Sequence, residues 1–373
     1  MTISSLTTDQ LRKAAARLPR VPLAHLPTPL EEARRFAKAL TPNTPLLAGR
    51  ASDGSDSPSL ARPANATERG PGPRVFIKRD DCTGMLMGGN KTRHNEFLFG
   101  EALKQNADCL VWGAGVQSNN CRQTAAACNK LGLECYLYLT RATHNDDIQG
   151  NLLLDHLMGA KVTIIDAPMG PEVDDLLFAK AKDLKAQGRR PFVWDRITGR
   201  PIAAVSYALC LAELLDQARS HGVEPTHVYA AAAGATGAGL AIGKAILGWP
   251  GKVRLLCPIR WPWDTPTDIT DVANRTATLL DVPHRLTTAD IDITNDYMGP
   301  TYGAVTPAGR EAMDLMAKSE GLLLDPVYTA KAMAGLIDDT RHGRLGAKDN
   351  VVFIHTGGTP AVFAYRDELV KMA

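Results

Sequence analysis

The chain contains no apolar run long enough to cross a bilayer, so a membrane-spanning helix is not expected. Among its seven cysteines and nine histidines there is no C-x-x-C pair and no H-E-x-x-H. A zinc knuckle, a zinc-hydrolase centre and any other metal site are therefore not expected. The cysteine count is odd, and several cysteines sit in apolar strand-like runs. This argues against a disulfide framework and for reduced thiols in a cytoplasmic protein. Basic residues form no long runs and the formal net charge is only +2. Neither nucleic acid nor an acidic membrane surface is implied as a partner. Residues 1–18 lack the continuous apolar core of a signal peptide. They read as the start of an amphipathic helix capped at Thr8 or Asp9.

What is present is the composition of a soluble globular enzyme, 45% apolar and 22% charged over 373 residues. That length allows two lobes or one large domain with a subdomain. Residues 44–73 stand apart, rich in Ser, Pro, Ala, Gly and Asp. They are expected to form a flexible surface insertion. From Arg74 onward, strand patterns at 75–78, 109–113, 135–139, 161–165, 227–231, 253–257 and 351–355 alternate with helical ones. The helical patterns cover 90–103, 119–131, 148–158, 206–218, 237–247, 307–319 and 329–339. Such alternation predicts a largely parallel sheet wrapped by helices. The stretch 261–284 is less regular, and Trp261 and Trp263 within it read first as packing residues.

Five motifs carry chemistry. The run Lys78 to Arg93 places Lys91 directly after Gly88, Gly89 and Asn90, at an expected strand-to-helix turn. A lysine there can reach a bound aldehyde, and the glycines let a flat cofactor approach the backbone. In the run Gly113 to Gln123, Ser118 and Asn119 fall at a helix N-terminus, where free N–H groups favour an anion. Taken alone, the pair reads as N-caps. The glycine-rich run Tyr229 to Leu240 reads as a phosphate cradle or as tight helix–sheet packing. It lacks the G-x-G-x-x-G spacing of a dinucleotide site. Tyr297 to Gly303 and Leu324 to Met333 bring tyrosines that are packing residues when isolated and proton donors when buried and tuned. Phe353 to Pro360 runs from a strand into a glycine turn.

In this order, the motifs resemble those of fold-type-II pyridoxal-phosphate (PLP) enzymes. Within that group the chain is most similar to the D-cysteine desulfhydrase / 1-aminocyclopropane-1-carboxylate (ACC) deaminase family, on its desulfhydrase-like branch. The resemblance runs from Leu26 to Phe363 apart from the insertion. It implies an α/β, tryptophan-synthase-β-like fold of two open, twisted, mostly parallel sheets wrapped by helices. It implies a large PLP-binding domain, 1–93 and 206–373, that includes the 44–73 insertion, a small domain, 94–205, and a homodimer. Lys91 matches the lysine that forms the Schiff base with PLP. Ser118, Tyr302 and Tyr328 match catalytic and substrate-facing positions, with Asn119 and Asn120 also at the substrate. Asn90, Asn119, Thr356 and the loop Ala233-Gly234-Ala235-Thr236 match positions around the cofactor: Asn119 its ring hydroxyl, the loop its phosphate.

The sequence departs from the family in several places. Asn120 stands where relatives carry Gln or His, and His94 where they often carry a second lysine. Alanines occupy phosphate-loop positions that are often Ser or Gly, and Ile197 to Pro201 replaces a loop richer in glycine and serine. Thr329 and Thr356 replace the Glu and Leu of ACC deaminases. A carboxylate beside the pyridine nitrogen holds its proton far better than a hydroxyl does. The weaker electron sink suits α,β-elimination, because a good leaving group drains the charge. The expected reaction is D-cysteine to pyruvate, sulfide and ammonia. ACC ring opening and sulfite elimination from cysteate are the alternatives within the family. A racemase, a nucleotide-binding oxidoreductase and a catalytically inactive binding protein are the competing classes.

Overall fold

A computed structural model describes residues 4–40, 72–141, 147–166 and 170–371. The 44–73 insertion lies outside the described residues except for Gly72 and Pro73. The elements in chain order are α1 (Thr8–Ala15), β1 (Leu30–Glu32), α2 (Arg34–Ala39), β2 (Arg74–Lys78), α3 (Asn90–Lys104), β3 (Cys109–Gly115), α4 (Asn119–Leu131) and β4 (Glu134–Thr140). They continue with α5 (Gly150–Leu157), β5 (Lys161–Ile165), α6 (Pro171–Ala186), β6 (Pro191–Val193), α7 (Gly199–Ser220), β7 (His227–Ala231), α8 (Ala235–Leu247) and β8 (Lys252–Leu256). The last are α9 (Thr265–Leu279), β9 (Asp292–Thr294), α10 (Pro307–Glu320), α11 (Thr329–Arg341), β10 (Asn350–Ile354), α12 (Thr359–Ala364) and α13 (Arg366–Lys371).

Two sheets result. One has the order β1-β2-β10-β7-β8-β9 and is parallel except for the β1–β2 pair. The other has the order β5-β4-β3-β6 and is parallel throughout. In the central strands of the larger sheet both faces are apolar. Phe76, Val228, Ala230, Val352 and Ile354 face a core shared with α3, α7, α8 and the smaller sheet. Val75, Ile77, Tyr229, Ala231, Val351 and Phe353 face a second core with α2, α10 and α11. The period-two division of continuous apolar runs is what a parallel strand covered on both sides requires. Small residues bring α7 and α8 together: a Cβ on Gly239 would sit 2.2 Å from the Ala204 carbonyl oxygen.

Several elements begin or end where the sequence pattern did not place them. The α1 cap is Thr7, one residue before the expected Thr8. Thr7 Oγ1 accepts from Gln10 N at 3.2 Å and Gln10 Oε1 accepts from Thr7 N at 2.8 Å, closing a capping box. Helix α7 starts at Gly199, not 206; Pro201 is tolerated in a first turn, and residues 201–212 are almost all apolar and buried on nearly every side, so the helix shows no amphipathic onset. Helix α9 occupies the stretch read as irregular. Its many threonines obscure the period, but Asp264 caps it by accepting from Thr267 N at 3.0 Å. Helix α6 and the short β6 lay between expected elements, in a polar segment with weak patterning. No described helix is long and apolar enough to cross a membrane.

This arrangement aims helices α3, α4, α8 and α12 from the C-terminal ends of strands β2, β3, β7 and β10. Their N-termini are where ligands collect in open parallel sheets.

Candidate active site

Lys91 enters α3 through a strained turn. Leu86, Met87, Gly88 and Gly89 all have positive φ, and Gly89 at +126° needs a glycine. The glycine turn after β10 presses directly on it: a Cβ on Gly357 would lie 2.7 Å from Gly89 Cα. Asn90 N donates to the Thr356 carbonyl at 3.0 Å across this contact. The two motifs are thus joined backbone to backbone.

Helix α4 anchors the same turn from the other side. Arg122 donates from NH2 to the Gly88 carbonyl at 3.1 Å, and from NH1 to that of Leu86. Gln123 Oε1 accepts from Thr92 N at 2.6 Å and from Thr92 Oγ1 at 2.9 Å. The Arg-Gln pair of the second motif therefore holds the lysine turn. Beneath it lies a buried charge cluster. Arg93 donates to both Asp80 oxygens at 2.9 and 2.8 Å and to both Glu213 oxygens at 3.0 and 2.9 Å. Lys78 adds bonds to Glu213 and, at 2.6 Å, to the Thr28 carbonyl, while Tyr207 donates to Asp80 at 2.6 Å. Burial pushes the Asp80 carboxyl up, but Arg93 and Lys78 outweigh it and hold it below its usual range.

Above this support opens a cavity of about 210 Å³. Its wall includes all the residues matched to catalytic, substrate and cofactor positions: Asn90, Lys91, Ser118, Asn119, Asn120, Ala233, Gly234, Ala235, Thr236, Tyr302, Tyr328 and Thr356. Lys91 makes no hydrogen bond or ion pair among the described residues, and burial pushes its amine down to about 8. Ser118 is the N-cap of α4, its Oγ accepting from Asn120 N at 3.1 Å and Cys121 N at 3.2 Å. Asn119 Oδ1 accepts from Asn151 Nδ2 at 2.9 Å, which leaves its own amide N–H groups to face the cavity. Tyr302 and Tyr328 share a hydrogen bond of 2.6 Å. Burial raises both phenols above the usual tyrosine range.

The two readings of the glycine-rich loop divide between its residues. Gly237 and Gly239 serve packing, since a Cβ on either would collide with neighbouring side chains or backbone. Gly234, the N-cap of α8, has only Arg200 near the place of a Cβ, at 3.8 Å, and lines the cavity. Thr236 Oγ1 accepts from Asn90 Nδ2 at 3.0 Å and lies 3.1 Å from His94 Nε2. His94 is itself on the wall. Burial, then the charges of Lys91 and Arg93, push its imidazole well below the usual range. Thr329 is not on the wall; its hydroxyl donates to Asp325 Oδ1 at 2.7 Å.

Sequence reasoning passed over Trp112, Trp194, Asp174 and Arg196 on the wall; Arg200, also there, belongs to the 197–201 segment that departs from the family. Trp112 and Trp194 stack at 4.4 Å; Trp112 sits in an apolar strand run, and Trp194 lies outside any expected element. Trp261, read first as packing, lines the cavity, stacks on Trp263 at 4.8 Å, and donates from Nε1 to the Ala233 carbonyl at 3.1 Å. The signal missed for the arginines was the early start of α7, which carries Arg200 to the cavity.

An unpartnered lysine, an open helix N-terminus fit for a phosphate and amide and hydroxyl donors between them accommodate pyridoxal phosphate. On this two-sheet frame they define a fold-type-II PLP enzyme. The chain belongs to the pyridoxal-phosphate dependent enzyme family, whose profile matches residues 56–357. It is 38% identical over 303 residues to a D-cysteine desulfhydrase of Serratia proteamaculans (strain 568), covering 80% of this chain and 90% of that one. To the D-cysteine desulfhydrase of Klebsiella pneumoniae (strain 342) it is 37% identical over 304 residues, again 80% of this chain and 90% of the other. The crystal structure of an ACC deaminase homologue superposes with a TM-score of 0.82 at 30% identity, covering 98% of this chain and 99% of that one.

Proposed function

We infer that the protein is a PLP-dependent carbon–sulfur lyase that converts D-cysteine and water to pyruvate, sulfide and ammonia. The observation that carries this is the free, lowered-pKa Lys91 amine in one cavity with the Gly234 turn and the tyrosine pair. The likeness to D-cysteine desulfhydrases supports the choice of substrate.

When bound, PLP supplies an electron sink for the charge left by loss of the α-proton. Lys91 would hold the cofactor at its carbonyl carbon, and its Nζ is the group that would take the α-proton; burial keeps a larger share of that amine neutral and basic. Ser118 Oγ accepts two backbone N–H groups and keeps its own proton, which it directs to the substrate carboxylate together with Asn120. Asn119 would give an amide N–H to the ring hydroxyl, and the turn Ala233 to Thr236 would take the phosphate. Tyr302 and Tyr328 stay protonated, and because one hydroxyl donates to the other, one proton remains for the leaving sulfur. The released enamine hydrolyses to pyruvate and ammonia.

The one carboxylate on the described wall, Asp174, is paired with Arg196 at 2.7 Å. Thr356 puts a neutral hydroxyl on the wall, which favours elimination of a good leaving group over ring opening. The free thiols, six of them buried, support a reducing cytoplasmic setting. The family resemblance supports a homodimer. The smaller sheet, whose strands lie between Cys109 and Val193, supports a small domain at 94–205 within a large domain of 1–93 and 206–373.

The test is a screen of D-cysteine, L-cysteine, cysteate, β-chloroalanine and ACC, reading pyruvate against 2-oxobutyrate. Pyruvate and sulfide formed fastest from D-cysteine are expected. Faster 2-oxobutyrate from ACC would move the protein to the deaminase branch. A purified protein that neither colours with PLP nor retains it after borohydride would defeat both.

A further inference from the structure

The turn that opens α8 offers a bound phosphate its backbone N–H groups and few side-chain donors. Ala233, Gly234 and Ala235 have none, and the Thr236 hydroxyl is already engaged with Asn90 and His94. His94 is buried beside Lys91 and Arg93 and stays uncharged. A phosphate monoester carries about 1.5 to 2 negative charges near neutrality. The N-terminus of a helix presents only about half a positive charge. A full cation is missing from this end of the cavity unless another element brings one.

Helix α7 brings Arg200. Its guanidinium is only partly occupied: Nε donates to the Arg196 carbonyl at 3.1 Å and NH2 to Asp268, while NH1 makes no hydrogen bond among the described residues. Arg200 NH1 and Cδ lie 3.8 Å from the place a Cβ on Gly234 would take, and nothing else comes within 4 Å of it. The missing side chain of Gly234 keeps open the space between the α8 N-terminus and the free end of Arg200. The other arginine on the wall, Arg196, is paired with Asp174 and lies over the Trp263 ring at 5.0 Å.

We propose that Arg200 supplies the cation for the cofactor phosphate in this chain, donating from NH1 across the Gly234 turn while Asp268 fixes its orientation. The proposal rests on the PLP reading above. It places the start of α7, as well as the glycine-rich loop, in the phosphate site.

Full-length protein stripped of cofactor and titrated with PLP, and separately with pyridoxal, tests it through visible absorbance. Pyridoxal has the same aldehyde and ring without the phosphate. Arg200→Met should weaken PLP about tenfold or more, the scale of a lost charge-assisted hydrogen bond, and leave pyridoxal unchanged. Arg200→Lys should lose less. Because Arg200→Met leaves the Asp268 carboxylate without its partner, Arg200→Met with Asp268→Asn serves as a charge-balanced second variant, and the same selective loss is expected of it. Equal weakening of both ligands, or unaltered PLP affinity in the balanced variant, overturns the proposal while leaving the enzyme class intact. A wild-type protein that takes up neither ligand overturns the PLP reading and the proposal with it.

Discussion

The two sheets contribute to the cavity in different ways. The larger sheet and its helices hold Lys91, the Gly234 turn and Thr356 through backbone contacts and a buried, mutually paired charge cluster. On the smaller sheet, β5 and β6 have no fully buried position, and beyond the α4 N-terminus its part of the wall is a stacked tryptophan pair and a partly exposed ion pair. A reactive amine has to be held in one geometry, which favours the densely bonded side. The side built of rings and surface pairs tolerates change, so differences in substrate are easier to build there.

The largest effect should come from the densely bonded side. Lys91→Ala should lower turnover about a thousandfold or more, and borohydride should no longer fix the cofactor to the chain. Normal turnover in a folded variant would remove Lys91 from the mechanism. Next comes Arg93→Met, which leaves Asp80 and Glu213 without their shared partner. Breaking a buried pair costs about 3–5 kcal/mol, measured as a fall in the urea midpoint at constant slope. Arg196→Met on the other wall removes a partly exposed pair and should cost about 1 kcal/mol or less. Equal losses from the two changes would end the contrast.

Most of the contrast could not be read from sequence. Residues adjacent in the chain were legible: Lys91 after its glycines, Ser118 at a helix start, the turn after β7. Each has local chemistry that fixes its backbone. Bonds between motifs were not legible, because Arg122 to the Gly88 carbonyl and Asn90 to Thr236 join segments far apart in the chain. Trp112 was lost for a different reason: a tryptophan in an apolar strand looks the same whether it meets core or cavity. Arg200 was displaced by the late assignment of α7, a helix without an amphipathic face. Of the two threonines that replace the Glu and Leu of ACC deaminases, Thr356 lines the wall, while the Thr329 hydroxyl is bound to Asp325.

A smaller effect tests the burial of Lys91 directly, in cofactor-free protein. The unfolded amine titrates near 10.5 and the folded one near 8. Below pH 8 both forms are charged, and the folded state bears the full burial penalty, about 3 kcal/mol from that difference. Between the two values the unfolded chain binds more protons, so stability rises with pH. Lys91→Met carries no such penalty. It should be more stable than wild type at pH 7, and the gap should narrow steadily toward pH 10. A constant gap across that range would mean that the lysine is not desolvated by the wall.

The smallest effect separates two uses of one hydroxyl. Ser118 caps α4 and also faces the cavity, so Ser118→Ala should lose about 1 kcal/mol of stability and some activity together. That variant alone does not tell a weakened helix from a lost substrate contact. Ser118→Asn does, because an asparagine caps as well as a serine but sets an amide where the hydroxyl stood. Its thermal midpoint should return to the wild-type value. If Ser118 binds the substrate carboxylate, KM for D-cysteine should stay raised in Ser118→Asn, with kcat changed less. Recovery of both stability and KM would reduce Ser118 to a cap and leave carboxylate recognition to Asn120 and the backbone N–H groups of the first turn of α4. The smaller-sheet side would then contribute to substrate binding only through its helix N-terminus, and the contrast with the lysine side would be sharper still.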